Sequence, residues 1–142
     1  MIIGIDPGTH TGFAIWNPVK KKFKSIGSIQ IHEVIMRISA MHDDGLIDYV
    51  VFEDARQRKW FGNQSKAEGI GKLQGVGSVK RDCSIIEDFL IDLDIPHLAI
   101  KPSAGTTKWT AARFKRVTGW EGRTNEHGRD AAILVFGRTM HK

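Results

Sequence analysis

Three acidic residues stand where predicted secondary-structure elements begin or end, and this placement constrains the fold more than any other feature of the sequence. Asp6 ends the apolar run at residues 2–6, Glu53 ends the run at residues 49–53, and Asp130 opens an apolar helical pattern. The first two runs are too short for helices and rich in β-branched residues, so they predict buried, neighbouring strands. Their acidic side chains would then project into one crevice.

Carboxylates held a few ångströms apart repel one another strongly where the dielectric constant is low. A fold retains such a cluster when a cation, a shared proton or catalytic work compensates for the repulsion. Asp130 alone could be a helix N-terminal acid favoured by the macrodipole, but His127 lies three residues earlier on the same helical face. The pattern therefore favours a metal-dependent enzyme. The remaining histidines, including His10, have no acidic partner in the pattern.

Length and charge limit the class of protein. The 142 residues fit a single domain, over residues 1–142, with a core that needs no disulfide. Lys and Arg number 21 against 16 acids, for a net charge of +5, and a basic surface around an acidic pocket suits a polyanion held by its phosphates. An ordinary protein with a high isoelectric point has the same balance. The lone Cys83, the lack of a run of ~20 apolar residues and the lack of a signal peptide predict a cytoplasmic protein with no membrane contact.

The order of predicted elements is β-β-β-α-β-α-β-α-α. The strands are expected at residues 2–6, 12–17, 23–31, 47–53 and 97–101, and the helices at residues 33–41, 65–93, 104–117 and 127–140. A helix between the first and fourth strands makes these two strands parallel, whereas the first three strands form an antiparallel meander. The sequence thus predicts an α/β fold with one mixed five-stranded sheet and helices on both faces.

This element order is that of the ribonuclease H-like fold, and several motifs resemble those of RuvC-type Holliday junction resolvases. Gly4-Ile5-Asp6-Pro7-Gly8-Thr9-His10-Thr11-Gly12 resembles the opening motif of that family, and Val51-Phe52-Glu53 resembles its second acidic strand end. Three later segments are similar to its glycine-containing helix and C-terminal portion: Leu73-Gln74-Gly75-Val76-Gly77, Lys115-Arg116-Val117-Thr118-Gly119 and His127-Gly128-Arg129-Asp130-Ala131-Ala132.

The resemblance implies a structure-specific endonuclease that nicks four-way DNA junctions by two-metal-ion phosphodiester hydrolysis, in a bacterial cell or a phage-infected host. Asp6, Glu53 and Asp130 would be the metal ligands, and His127 would take the fourth position, as a ligand or as the acceptor of the water's proton. Glu126 ranks below His127 because it points about 100° away on a helix. The expected cofactor is Mg²⁺, two ions per site, with Mn²⁺ as a substitute.

A basic and aromatic segment follows Glu53 and is a candidate DNA contact. Arg and Lys can bind phosphates, and a Trp or Phe ring can stack on an unpaired base, although either ring could instead pack into the core. Lys108 is the preferred single phosphate contact because it lies in a loop close to the last acids. The candidate DNA-binding residues are Arg56, Arg58, Lys59, Trp60, Phe61, Lys66 and Lys108.

Four glycines within one predicted helix, at positions 69, 71, 75 and 77, indicate a close approach to its backbone. In the resolvase family this helix lies at the interface of a homodimer; close packing within one subunit is the alternative. Two other functions also stay open. A related nuclease could act on other branched DNA or on RNA–DNA hybrids, and a non-catalytic module could bind branched nucleic acid. Actin-like and sugar-kinase ATPases share an Asp-x-Gly-Thr turn, but they need a second domain.

Overall fold

Short runs of β-branched and aromatic residues form one sheet. The computed structural model describes residues 1–58, 66–103 and 108–140, with the backbone alone for residues 66–73. Within these residues the sheet has five strands: β1 (Ile2–Asp6), β2 (Thr11–Asn17), β3 (Lys22–Ile29), β4 (Tyr49–Glu53) and β5 (His97–Ile100). Their order across the sheet is β3-β2-β1-β4-β5. β1 pairs antiparallel with β2 and parallel with β4, so the predicted mixed sheet is confirmed.

The described helices lie on both faces of the sheet. They are α1 (Ile31–Asp43), α2 (Lys66–Asp92), α3 (Ala111–Thr118) and α4 (Glu126–Val135), with a single 3₁₀ turn at Ala55–Gln57 after β4. One face of the sheet packs against α1 and α2, through residues such as Val34, Cys83 and Leu90. The other face packs against α3 and α4, through residues such as Phe114 and Ala131.

Alternation along the strands assigns each side chain to one of these two cores. On β1, Ile3 and Ile5 belong to the core beneath α1 and α2, and Ile2 belongs to the core beneath α4. On β4, Val50 belongs to the core beneath α1 and α2, and Val51 belongs to the core beneath α4. Because successive side chains point to opposite faces, the last residues of β1 and β4 turn toward the α4 face.

Several element boundaries differ from the sequence-based expectation. β3 ends at Ile29 and α1 begins at Ile31, because Gln30 and Glu33 form a reciprocal capping box that starts the helix early. α3 begins at Ala111 rather than residue 104, since Thr110 is its N-cap; residues 104–107 lie outside the described part. α4 ends at Val135 rather than residue 140.

Two glycines allow α4 to lie directly on the sheet. A Cβ atom built on Gly4 would lie 2.2 Å from the Ala131 carbonyl oxygen, and one built on Gly12 would lie 2.0 Å from the His127 carbonyl oxygen. Side chains at these positions would therefore lift the helix from β1 and β2. The approach brings the first turns of α4 to the edge of the sheet at which β1 ends.

Two side-chain hydrogen bonds attach the segment after α4 to the same sheet. The Trp16 indole N–H donates to the Arg138 carbonyl at 2.9 Å, and the Tyr49 hydroxyl donates to the Thr139 carbonyl at 2.9 Å. In the described part of the chain no helix combines the length and the apolar character needed to cross a bilayer. The expectation of one domain over residues 1–142 stays a prediction.

Candidate active site

Asp6 and Glu53 end two neighbouring parallel strands. Ile5 of β1 pairs with Phe52 of β4, so the two acids follow side by side at the same edge of the sheet. Both share the face of Ile2 and Val51, which α4 covers. The side chain of Asp6 is only 15% exposed. The sheet thus brings the first two predicted site residues together.

The first turns of α4 bring the other two residues to the same place. The Asn125 side chain caps the helix by accepting from the Gly128 N–H at 2.8 Å, and its amide nitrogen donates to the Ser28 hydroxyl on β3 at 2.6 Å. His127 Nδ1 then lies 3.7 Å from Asp6 Oδ2. Asp130, one turn further, has a side chain that is 16% exposed.

Electrostatics show that the carboxylates share one environment. Burial, followed by repulsion from Glu53 and Asp130, raises the pKa of Asp6 to about 7. Burial and repulsion from Asp130 likewise raise the pKa of Glu53. Both groups would bind protons more tightly than free carboxyls do, because ionising all of them together is unfavourable. A cation placed among them would relieve this repulsion.

Lys108 provides such a cation within the chain. Its ammonium group contacts the Asp130 carboxylate and lies 3.4 Å from Glu126 Oε1. Burial disfavours the charge of this ammonium, but the contact with Asp130 outweighs that effect and raises the pKa of Lys108. The same charge acts in the opposite direction on Asp6 and Glu53, since it lowers the pKa of each.

The donor chemistry of this cleft fits a hard divalent cation. Three carboxylates and one imidazole are suitable ligands for Mg²⁺ or Mn²⁺, and their mutual repulsion favours a bound positive charge. In the arrangement seen, no three His, Cys, Asp or Glu side chains of the described residues are grouped closely enough to hold an ion. The ammonium of Lys108 already contacts Asp130. Metal binding therefore requires these side chains to adjust.

Comparison with known proteins supports the fold. The structure is similar to that of Thermus thermophilus RuvC, with a TM-score of 0.58 and 16% sequence identity over 96% of this chain and 91% of that chain. The fold is ribonuclease H-like. No protein-family model and no curated protein matches the sequence significantly. The predicted fold class is therefore confirmed, whereas the catalytic residues and the activity stay predictions.

Arg56, one of the candidate DNA contacts, is engaged in ion pairs within the protein. It lies beyond Asp54, whose side chain turns to the face opposite Glu53, and its Nε donates to Asp54 Oδ1 at 2.7 Å. Its guanidinium also contacts Glu87 on α2. Burial opposes the charge of Asp54, yet the hydrogen bonds from Arg56 hold the pKa of this carboxyl below its usual value. These contacts favour a structural role for Arg56 over phosphate binding.

The other candidate DNA contacts are only partly within the described chain. Arg58 is exposed, and its charge lowers the pKa of Glu53. Lys59, Trp60 and Phe61 lie outside the described residues, and of Lys66 only the backbone, at the start of α2, is described. Their proposed contacts with DNA stay predictions.

Two residues that the sequence interpretation considered and set aside lie near the cleft. Glu126 approaches Lys108, and the His10 ring centroid lies 6.2 Å from that of His127. In the sequence, Glu126 was indicated only by its position next to His127. Successive residues of a helix point about 100° apart, so this position gave no reason to place Glu126 in the site. His10 follows the turn after β1, and sequence spacing does not reveal that its ring lies near His127 of α4.

Proposed function

We propose that this chain is a divalent-metal-dependent endonuclease that nicks branched DNA, with four-way junctions as its substrate. The observation that carries the proposal is the convergence of Asp6, Glu53 and Asp130, in which burial and repulsion from the neighbouring carboxylates raise the pKa values of Asp6 and Glu53. Carboxyl groups whose pKa values are shifted by burial and by like-charged neighbours are typical of active sites. The likeness in fold to Thermus thermophilus RuvC agrees with this function.

Each site residue has a role in this proposal. Asp6, Glu53 and Asp130 would hold two Mg²⁺ ions, or Mn²⁺ in their place, with His127 as the fourth ligand. Bound divalent cations make a water more acidic and stabilise charge on phosphate oxygens. Alternatively His127 accepts a proton, since its side chain is 48% exposed to solvent and lies near Asp6. Lys108 would place a positive charge beside the phosphate.

DNA would lie across the basic surface around the acidic cleft. The net charge of +5 favours a polyanion, because the acids of the cleft are included in that sum. The proposed contacts are Arg58, Lys59, Trp60, Phe61, Lys66 and Lys108. A protein of this kind would act in the cytoplasm of a bacterial cell or of a phage-infected host.

We propose that the active form is a homodimer. Gly75 and Gly77 are exposed on α2, and apart from their neighbours in the helix no described residue lies within 4 Å of a Cβ atom built on either glycine. Packing within the described part of the subunit therefore does not account for these two glycines, whereas the backbone of a second subunit could. Two copies would place two clefts on one junction.

The proposal is tested by cleavage of defined DNA substrates. Purified protein is incubated with four-way junctions, three-way junctions, flaps and linear duplex, with Mg²⁺ or with a chelator. We expect Mg²⁺-dependent nicking of the four-way junction. Asp6→Asn should reduce the rate by more than about a hundredfold, which is the upper range for residues that only support a metal ligand. Asp43→Asn, at the exposed end of α1, is the matched control.

The outcomes separate the alternative functions. Preference for flaps, three-way junctions or RNA–DNA hybrids would replace the four-way junction as substrate but keep the nuclease assignment. Junction binding without nicking in Mg²⁺ or Mn²⁺ would indicate a binding module. Equal nicking by Asp6→Asn and Asp43→Asn would remove Asp6 from the site.

A further inference from the structure

One ammonium group lies among the carboxylates of the candidate site. Lys108 contacts Asp130 and lies 3.4 Å from Glu126, and its charge also acts on Asp6 and Glu53. A protonated amine has three donors and no lone pair, so it can neutralise carboxylates but cannot coordinate a metal. Lys108 therefore occupies a carboxylate that a divalent cation would need.

The backbone beside Lys108 is held in place by α4 itself. Arg129 Nε donates to the Trp109 carbonyl at 2.9 Å, and Arg129 Nη1 donates to the Thr124 carbonyl at 2.9 Å. The Arg113 guanidinium lies 4.4 Å from the centre of the Trp109 ring. The segment that carries Lys108 is thus anchored to the residue next to Asp130. These contacts fix the backbone position from which the Lys108 side chain reaches the cleft.

The side chain itself is free to withdraw. Lys108 is 62% exposed, and only its ammonium end is engaged by the acids. Glu126, the second acid that it approaches, is also largely exposed and stands at the first residue of α4. If a divalent cation bound to Asp130, the Lys108 ammonium could therefore stay near Glu126 at the rim of the cleft.

We propose that Lys108 is the internal counterion of the metal-free site, and that a divalent cation must displace it from Asp130 in order to bind. The inference rests on the proposed function, since it assumes that the acidic cleft takes a metal. A dication and an ammonium repel each other, so they do not share one carboxylate oxygen at contact distance. The displaced ammonium then faces the position of the incoming phosphate. Metal binding would thus be coupled to release of the lysine.

The test measures metal affinity and metal-free stability rather than cleavage. Lys108→Met keeps most of the side-chain length but removes the charge, and Lys108→Arg keeps the charge. Lys101→Met is the matched control, because it removes the same charge from an exposed position just after β5. Mn²⁺ binding is followed by titration calorimetry, and thermal unfolding is followed in excess chelator.

We expect Lys108→Met to bind Mn²⁺ at least about tenfold more tightly than the native protein, a size typical of coupling between two binding events. Lys101→Met and Lys108→Arg should stay within about twofold of the native affinity. In chelator, Lys108→Met should unfold at a lower temperature than Lys101→Met, because the carboxylates lose their counterion.

Each other result contradicts part of the argument. If the native protein binds Mn²⁺ and Lys108→Met binds it with the same affinity as Lys101→Met, the displacement is wrong while the proposed metal site stands. Equal melting temperatures of these two variants in chelator would overturn the counterion role. No Mn²⁺ binding by any of the proteins would overturn both the proposed function and this inference.

Discussion

Gly4→Ala tests whether the close contact between α4 and the sheet positions the candidate site. The added Cβ would lie 2.2 Å from the Ala131 carbonyl oxygen, whereas real Cβ contacts are essentially never shorter than 3.0 Å. β1 is hydrogen-bonded to strands on both sides, so the helix has to move, by about the 0.8 Å difference between these distances. Overpacking of this kind costs about 1–3 kcal/mol of unfolding free energy.

The displacement should also reach the site, because Asp130 lies one residue before the contact. A shift of about 1 Å in a reacting group can reduce a rate about a hundredfold. Urea unfolding in chelator gives the loss of stability, and Mn²⁺ titration gives the effect on the cleft. Gly27→Ala on β3 is the matched control, since no described atom beyond its own chain neighbours lies within 4 Å of its added Cβ. If Gly4→Ala unfolds at the same urea concentration as Gly27→Ala, the added methyl group does not strain the contact between α4 and β1. An unchanged Mn²⁺ affinity in a destabilised Gly4→Ala would show that the contact does not position the acids.

Three other residues give further tests. Burial and neighbouring carboxylates raise the pKa of Asp6 to about 7, so the folded metal-free protein binds the proton more tightly than the unfolded chain. Its stability in chelator should therefore fall as the pH rises from about 4 to about 7, and Asp6→Asn should remove most of this slope in thermal melts; equal slopes would contradict the pKa shift. Arg56→Met should lose about 1–3 kcal/mol in urea unfolding, because Asp54 is left buried without its ionic partner, whereas the exposed Arg81→Met should lose little. A loss no larger than that of Arg81→Met would exclude a structural role for Arg56. Burial raises the pKa of the Cys83 thiol to about 11, so a thiol reagent at pH 8 should label it only after unfolding; rapid labelling of the folded protein would show that the thiol is accessible.

The architecture was predictable because it depends on local patterns. The short apolar runs that end at Asp6 and Glu53 are rich in β-branched residues and predict strands buried on both faces, and the intervening helix makes them parallel. The element boundaries were less predictable, since side chains distant in sequence or unusual caps decide them. The Gln30 capping box starts α1 early, and Gly137, with φ of 76°, follows the end of α4.

The candidate site was predictable only in its acidic part. The acids stand at element ends, and the strand order makes them converge. The contact between Lys108 and Asp130 joins residues 22 positions apart, and it depends on how the segment before α3 lies on α4. No periodicity encodes such a contact. The sequence could therefore indicate a basic residue near the last acids, but not that its ammonium would contact one of them.

The placement of the last acid on α4 has a consequence for biosynthesis. Asp6 and Glu53 are translated before α4, the helix that carries Asp130. That helix packs against one face of the central strands through Ala131, Ala132 and Val135. A nascent chain that lacks residues 126–135 would present two acids beside an uncovered apolar surface. A metal site built from all three acids, and the cleavage proposed for it, would therefore form only after this helix has been translated and has docked onto the sheet.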